Sequence, residues 1–151
     1  MTTLFFDTSA LLKRYIDETG SERVRALIQT SPGPMFISAI TRIEMACAFA
    51  RREREGSFSS TTRDRLWEAF RFDSVHHFRF IRVGIETLAA AEQLAFRYSL
   101  RAYDAVQLAS AQFAIRRLRK IGRQGVIFLS ADARLLGFAK SEGFTILNPL
   151  E

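Results

Sequence analysis

Four carboxylates are placed where they could do chemistry together: Asp7, Glu44, Asp104 and Asp132. Asp7 directly follows the apolar run Thr3-Leu4-Phe5-Phe6, and Asp132 comes soon after Val126-Ile127-Phe128-Leu129. An Asp after a strand is also a common helix N-cap, and taken singly either residue reads that way. Asp104 heads a segment with Leu108, Ala111, Ile115 and Leu118 at i+4, i+7, i+11 and i+14. That is one helical stripe, so its carboxylate leans toward the core, which is costly unless it is paired or metal-bound. The competing reading is a first-turn acid favoured by the helix dipole, worth about 0.3–1 kcal/mol. Glu44 sits between Ile40 and Cys47 at the edge of an apolar face, with Arg51 on the same side as an ion-pair partner if the site is only a surface network. Gathered in one crevice, four acids repel each other and call for a cation. All-oxygen ligation selects Mg²⁺ or Mn²⁺. Such an ion recruits phosphate oxygens and activates a water, and two ions can clamp an in-line displacement.

Other chemistries are excluded by what is missing. There is no Gly-rich nucleotide loop, no G-x-S-x-G and no H-E-x-x-H. His76 and His77 are adjacent and are expected to enter a strand, which sends them to opposite faces as surface residues. Cys47 lies in the longest apolar run, Met45–Ala50, and is expected to be a small core residue rather than a nucleophile. As the only cysteine it also excludes an internal disulfide. That apolar run is far short of a membrane span, and the N-terminus carries no basic leader, so a cytoplasmic protein is expected.

The acids must be positioned by a fold that 151 residues can build as one domain, 1–151. Strands are expected at 3–6, 35–37, 78–83, 126–129 and 145–147. Helices are expected at Ala10–Ile16, from the Thr19-Gly20-Ser21-Glu22 capping pattern to Thr30, from a Ser38 cap to Glu55, from Thr61 to about Ser74, from Gly84 to Tyr98, from Arg101 or Ala102 to Ile121, and after Asp132 to Glu142. Short strands alternating with helices imply a three-layer α/β/α sandwich with a mainly parallel central sheet. In such a sheet the ligand crevice lies at the carboxyl ends of the strands, the edge where Asp7 and Asp132 fall. The net charge of +6 is uneven: residues 76–151 hold 11 Lys/Arg against 6 Asp/Glu. A basic excess suits a polyanion, although Arg-rich composition alone gives the same balance.

Four stretches, in order, carry a family resemblance: Phe5-Phe6-Asp7-Thr8-Ser9-Ala10-Leu11, Ile40-Thr41-Arg42-Ile43-Glu44, Leu100-Arg101-Ala102-Tyr103-Asp104-Ala105-Val106-Gln107-Leu108-Ala109 and Phe128-Leu129-Ser130-Ala131-Asp132. Together they resemble the PIN-domain nucleases, and among these the VapC-type toxins of toxin–antitoxin pairs. The resemblance covers nearly the whole chain. It implies that Asp7, Glu44, Asp104 and Asp132 form an acidic metal site, with Thr8, Ser9 and Ser130 as supporting hydroxyls. It also implies Mg²⁺- or Mn²⁺-dependent RNA cleavage, a homodimer and a cognate antitoxin protein. One departure is the longer stretch between Asp104 and Asp132, which holds Arg116, Arg117, Arg119 and Lys120. This basic run reads either as a nucleic-acid contact or as a solvated helix end that suits the dipole. Two alternatives are a housekeeping RNA-processing nuclease without an antitoxin and a non-catalytic module that binds RNA or protein. A haloacid-dehalogenase phosphatase would need a second acid at position 9, where Ser9 stands.

Overall fold

A computed structural model describes residues 2–123 and 125–151. Five parallel strands form one sheet in the order β3-β2-β1-β4-β5: β1 (Thr3–Phe6), β2 (Met35–Ser38), β3 (Phe78–Ile81), β4 (Val126–Leu129) and β5 (Thr145–Leu147). The central strands β1 and β2 are buried throughout, as expected for a sheet covered on both faces. Alternation along β1 divides the core. Phe5 faces one layer and stacks on Phe128, 5.6 Å between ring centroids, while Phe6 faces the other and meets Phe78 edge-on at 5.9 Å.

The Phe5 side is covered by α5 (Ile85–Arg97), α6 (Ala102–Arg119) and α7 (Ala133–Ser141), through Leu94, Leu108 and Leu135. The Phe6 side is covered by α1 (Thr8–Leu11), α2 (Ser21–Thr30), α3 (Thr41–Arg54) and α4 (Ser60–His76), through Leu11, Val24, Phe49 and Phe70. This is the expected α/β/α sandwich. No helix among the described residues is long and apolar enough to cross a membrane.

Several local expectations are corrected. The helix after β1 is only α1 followed by a 3₁₀ turn, Leu12–Arg14. Thr19 caps nothing: the N-cap of α2 is Gly20, held left-handed at φ 90°. A Cβ there would also press within 2.8 Å of the Pro149 carbonyl oxygen. Ser21 instead donates to the Ile16 carbonyl and accepts from the Glu18 amide. Ser38 ends β2 rather than capping α3, which starts at Thr41. The cap of α4 is Ser59, and the helix runs through His76, so the two histidines sit at a helix end rather than on a strand. Cys47 is exposed.

Candidate active site

The sheet reverses its winding at β1: one crossover leads to β2 on one side, while β4 pairs on the other. A crevice opens at that switch point, outside the carboxyl ends of the strands. Asp7 sits there because the backbone leaves β1 and enters α1, while its own N–H still bonds the Leu129 carbonyl at the end of β4. Its side chain caps α1, accepting from the Ser9 N–H at 3.3 Å. The same oxygen, Oδ2, accepts from the Ser9 hydroxyl at 2.6 Å and the Ser130 hydroxyl at 2.9 Å. Ser9 in turn accepts from the Ala131 N–H, tying β1 to β4 across the crevice. Burial pushes the Asp7 pKa up. The two serine hydrogen bonds pull against that, and the Glu44 charge adds to it.

Glu44 lies in the first turn of α3, with Oε1 accepting from the Thr8 hydroxyl at 2.9 Å and from the Gln107 amide at 2.6 Å. Gln107 is fully buried, and its nitrogen also reaches the hydroxyls of Thr8 and Thr41, at 3.1 and 3.0 Å. Two hydrogens thus serve three acceptors, while among the described residues Gln107 Oε1 has no partner. Arg51 borders the same cleft, but no Glu44–Arg51 ion pair forms among the described residues; Thr8 and Gln107 hold the carboxylate instead.

Asp104, in the first turn of α6, is half-buried and faces the cleft, above the buried Leu108 and Ala111. Desolvation raises its pKa, the Asp7 and Asp132 charges raise it further, and Arg101 and Arg134 oppose them. Asp132 caps α7: Oδ1 accepts from the N–H groups of Arg134 and Leu135 at 2.9 and 3.2 Å. The capping reading is therefore correct for both Asp7 and Asp132, and each still borders the cleft. The Arg101 guanidinium lies 3.5 Å from Asp104 Oδ2 and 3.8 Å from Asp132 Oδ2.

All four acids, with Thr8 and Ser9, border one cleft of about 540 Å³. Its rim adds Arg51, Arg54 and Tyr103, and the exposed Cys47 lies on its wall rather than in the core. Arg116, Arg117 and Lys120 are not part of this cleft. They border a second cavity, and Arg119 borders neither.

A common economy runs through the acids. Asp7, Glu44 and Asp132 each anchor one oxygen by hydrogen bonds; among the described residues Asp7 Oδ1 and Glu44 Oε2 make none, and Asp132 Oδ2 meets only the distant Arg101. These free oxygens suit a hard cation by type. They do not yet form a closed ligand set: among the described residues no three His, Cys, Asp or Glu side chains are gathered tightly enough to hold an ion as they stand.

Sequence reasoning missed Gln107, Thr41, Arg101 and Tyr103. For Gln107 a signal existed, because it is a polar residue within the buried stretch of α6, next to Leu108.

This is an α/β sandwich with an acidic crevice at its switch point. The PIN domain model matches residues 4–141, and the chain belongs to the PIN-domain nuclease family. Similar folds occur in the FitAcB structure of Neisseria gonorrhoeae (TM-score 0.68, 17% identity, 97% of each chain). They occur also in Mycobacterium tuberculosis VapC20, a sarcin–ricin loop cleaving toxin (TM-score 0.65, 18% identity, 93% of this chain and 95% of that one). A third is a toxin–antitoxin complex from Klebsiella pneumoniae (TM-score 0.60, 20% identity, 98% of each chain). No curated protein sequence matches the chain.

Proposed function

We propose that this chain is a single-domain, divalent-metal-dependent endoribonuclease and the toxin of a toxin–antitoxin pair. The observation that carries the reading is the cleft in which Asp7, Glu44, Asp104 and Asp132 meet, with neutral hydroxyl and amide donors anchoring Asp7 and Glu44. These four carboxylates would hold Mg²⁺ or Mn²⁺. When bound, such a cation polarises phosphodiester oxygens and makes attack by water feasible at neutral pH.

The chain's own residues do the rest. Ser9 and Ser130 fix Asp7, and Thr8 and Gln107 fix Glu44, so that each presents its other oxygen to the cleft. Burial and neighbouring charges raise the pKa values of Asp7 and Asp104, so a cation would relieve the electrostatic cost of their charged forms. Arg51, Arg54 and Arg101 give the acidic cleft a positive rim that attracts the phosphate backbone.

The direct test is cleavage of RNA with Mg²⁺ or Mn²⁺ and in excess EDTA. The expected products carry a 5′-phosphate and a 3′-hydroxyl. Full activity in EDTA, or 2′,3′-cyclic phosphate ends, overturns the reading. The similar fold in the Klebsiella pneumoniae toxin–antitoxin complex supports a protein partner, and we propose an antitoxin that sets a basic side chain into the acidic cleft of a homodimeric toxin. Expression of the chain alone should slow growth, Asp7→Asn should not, and the neighbouring reading frame should restore growth.

A further inference from the structure

A second cavity, of about 660 Å³, lies apart from the acidic cleft. It lies between the C-terminal half of α6 and the junction of β3 with α5. Four cations border it: Arg82 from the junction, and Arg116, Arg117 and Lys120 from α6. Among the described residues none of the four forms an ion pair, and Glu86 is the only acid on the wall. The lining is apolar, with Ile81, Ile85 and the partly buried Phe113, and the Arg116 guanidinium lies 4.9 Å from the centre of the Phe113 ring; Phe80, at the cavity's edge, packs against the opposite face of the sheet. Basic residues at the end of α6 follow from the helix dipole. The dipole does not account for Arg82, which comes from a different element, nor for an open apolar lining beneath all four charges.

We propose that this cavity is a binding subsite for single-stranded RNA, with a base against Phe113 and the adjoining phosphates on Arg82, Arg116, Arg117 and Lys120. Cations beside exposed aromatic faces are the pairing that single strands need, because every base has a stacking face and every linkage a charge. The subsite rests on the nuclease reading for its purpose and is placed to serve it. The cavity borders the edge strand β3, and the acids surround the carboxyl end of β1, two strands further in. Asp104 and Arg116 lie on one helix, about 18 Å apart along its axis at 1.5 Å per residue. At 3.4 Å per stacked nucleotide that distance is about five nucleotides. One strand would therefore lie in both places, with its bond to be cut at the acids and its flank in the cavity.

The test is fluorescence anisotropy in EDTA with a labelled single-stranded RNA of twelve nucleotides, which needs no cleavage. The double variant Arg116→Ala/Arg117→Ala alters only exposed side chains, so the fold is kept. It should weaken binding about tenfold or more and lower the slope of log K against log salt by about 1.4, at roughly 0.7 per phosphate contact. Phe113→Leu should weaken binding about tenfold with the slope unchanged, as a lost stacking contact does. Cleavage of a dinucleotide too short to reach the cavity should be the same in wild type and the double variant. Unchanged affinity and slope in the double variant overturn the subsite, whatever the cleavage assay gives. If the double variant instead binds RNA normally and no longer co-purifies with a protein partner, the cavity belongs to that partner and the RNA proposal fails. Binding that depends on Arg116 and Arg117 in a chain that cleaves nothing would uphold the subsite and remove the nuclease.

Discussion

Gln107→Met separates the stability of the fold from the geometry of the acids. Gln107 is buried and nearly isosteric with Met, so the change leaves little cavity. The variant loses the amide donor to Glu44 Oε1, a 2.6 Å bond to a charged acceptor worth about 1.5–3 kcal/mol. It also removes Gln107 Oε1, a buried oxygen without a partner, whose desolvation costs about 1–3 kcal/mol in the native protein. The two effects oppose each other and are of similar size. Thr8 and Thr41 each lose an amide donor; the Thr8 hydroxyl keeps its own bond to Glu44, whereas the buried Thr41 hydroxyl is left without a partner among the described residues, at about 1–3 kcal/mol. The net change in unfolding free energy should therefore be a loss of about 1–3 kcal/mol, read by urea denaturation using the fluorescence of Trp67. Glu44, now held by Thr8 alone, should lose its fixed orientation. Mn²⁺ affinity by calorimetry and the cleavage rate should both fall about 10–100-fold, the usual cost of removing a group that orients a metal ligand. Gln107→Glu should do worse on both counts, because it sets one carboxylate against another. Its stability deficit should grow as the pH rises above the carboxylate range. Wild-type metal affinity and cleavage in Gln107→Met would refute the idea that this amide positions Glu44. A loss of several kcal/mol with unaltered affinity per folded molecule would make Gln107 a packing residue only.

Three further outcomes follow from the same geometry. Asp7→Asn should abolish cleavage and raise stability at neutral pH. Burial holds the folded-state pKa of Asp7 above its unfolded value, so its ionisation opposes folding; the gain should vanish in denaturation curves taken below the ordinary carboxylate range. Asp132→Ser should keep the cap of α7 and lose the free cleft oxygen, weakening metal binding with little change in stability, whereas Asp132→Ala should in addition cost about 0.5–2 kcal/mol in a thermal melt. Asp73→Ala, far along α4, leaves Arg14 and Tyr15 without the buried carboxylate that accepts from both at 2.6 and 2.7 Å; it should cost about 3 kcal/mol, the low end for a broken buried pair because Arg14 is partly exposed, while cleavage per folded molecule is retained.

What the sequence made readable was whatever followed from run length and periodicity. Thr3–Phe6 and Val126–Leu129 are apolar on both faces and became paired strands of the sheet, and the acids after them fell at its carboxyl edge. Boundaries failed where a local signal had two physical uses. The Ser38 hydroxyl looked like a cap, but its backbone finishes a strand paired with Ile81, and its side chain bonds Ser110. Cys47 looked internal because its neighbours are apolar. At 100° per residue, Met45, Ala48 and Phe49 share the buried face of α3 while Cys47 is turned away from Met45 by about 200° and faces out. Gln107 could be seen as a misplaced polar residue, but not its partner, because Thr8, Thr41 and Glu44 reach it only through tertiary packing across the edge of the sheet.

The choice of neutral groups to hold the acids has its own electrostatic logic. A lysine or arginine buried against Asp7 or Glu44 would stabilise either carboxylate more than a hydroxyl does, and would cancel the charge that a divalent cation needs. Ser9, Ser130, Thr8 and Gln107 fix direction while leaving the charge uncancelled, and at Asp7 burial still raises the pKa although both serines lower it. Arg101 is the exception that fits the rule. Its side chain is 76% exposed and reaches Asp104 and Asp132 only at 3.5 and 3.8 Å. A guanidinium so loosely held relieves repulsion among the acids and would be displaced by a divalent cation at little cost, because an exposed pair is worth less than about 1 kcal/mol.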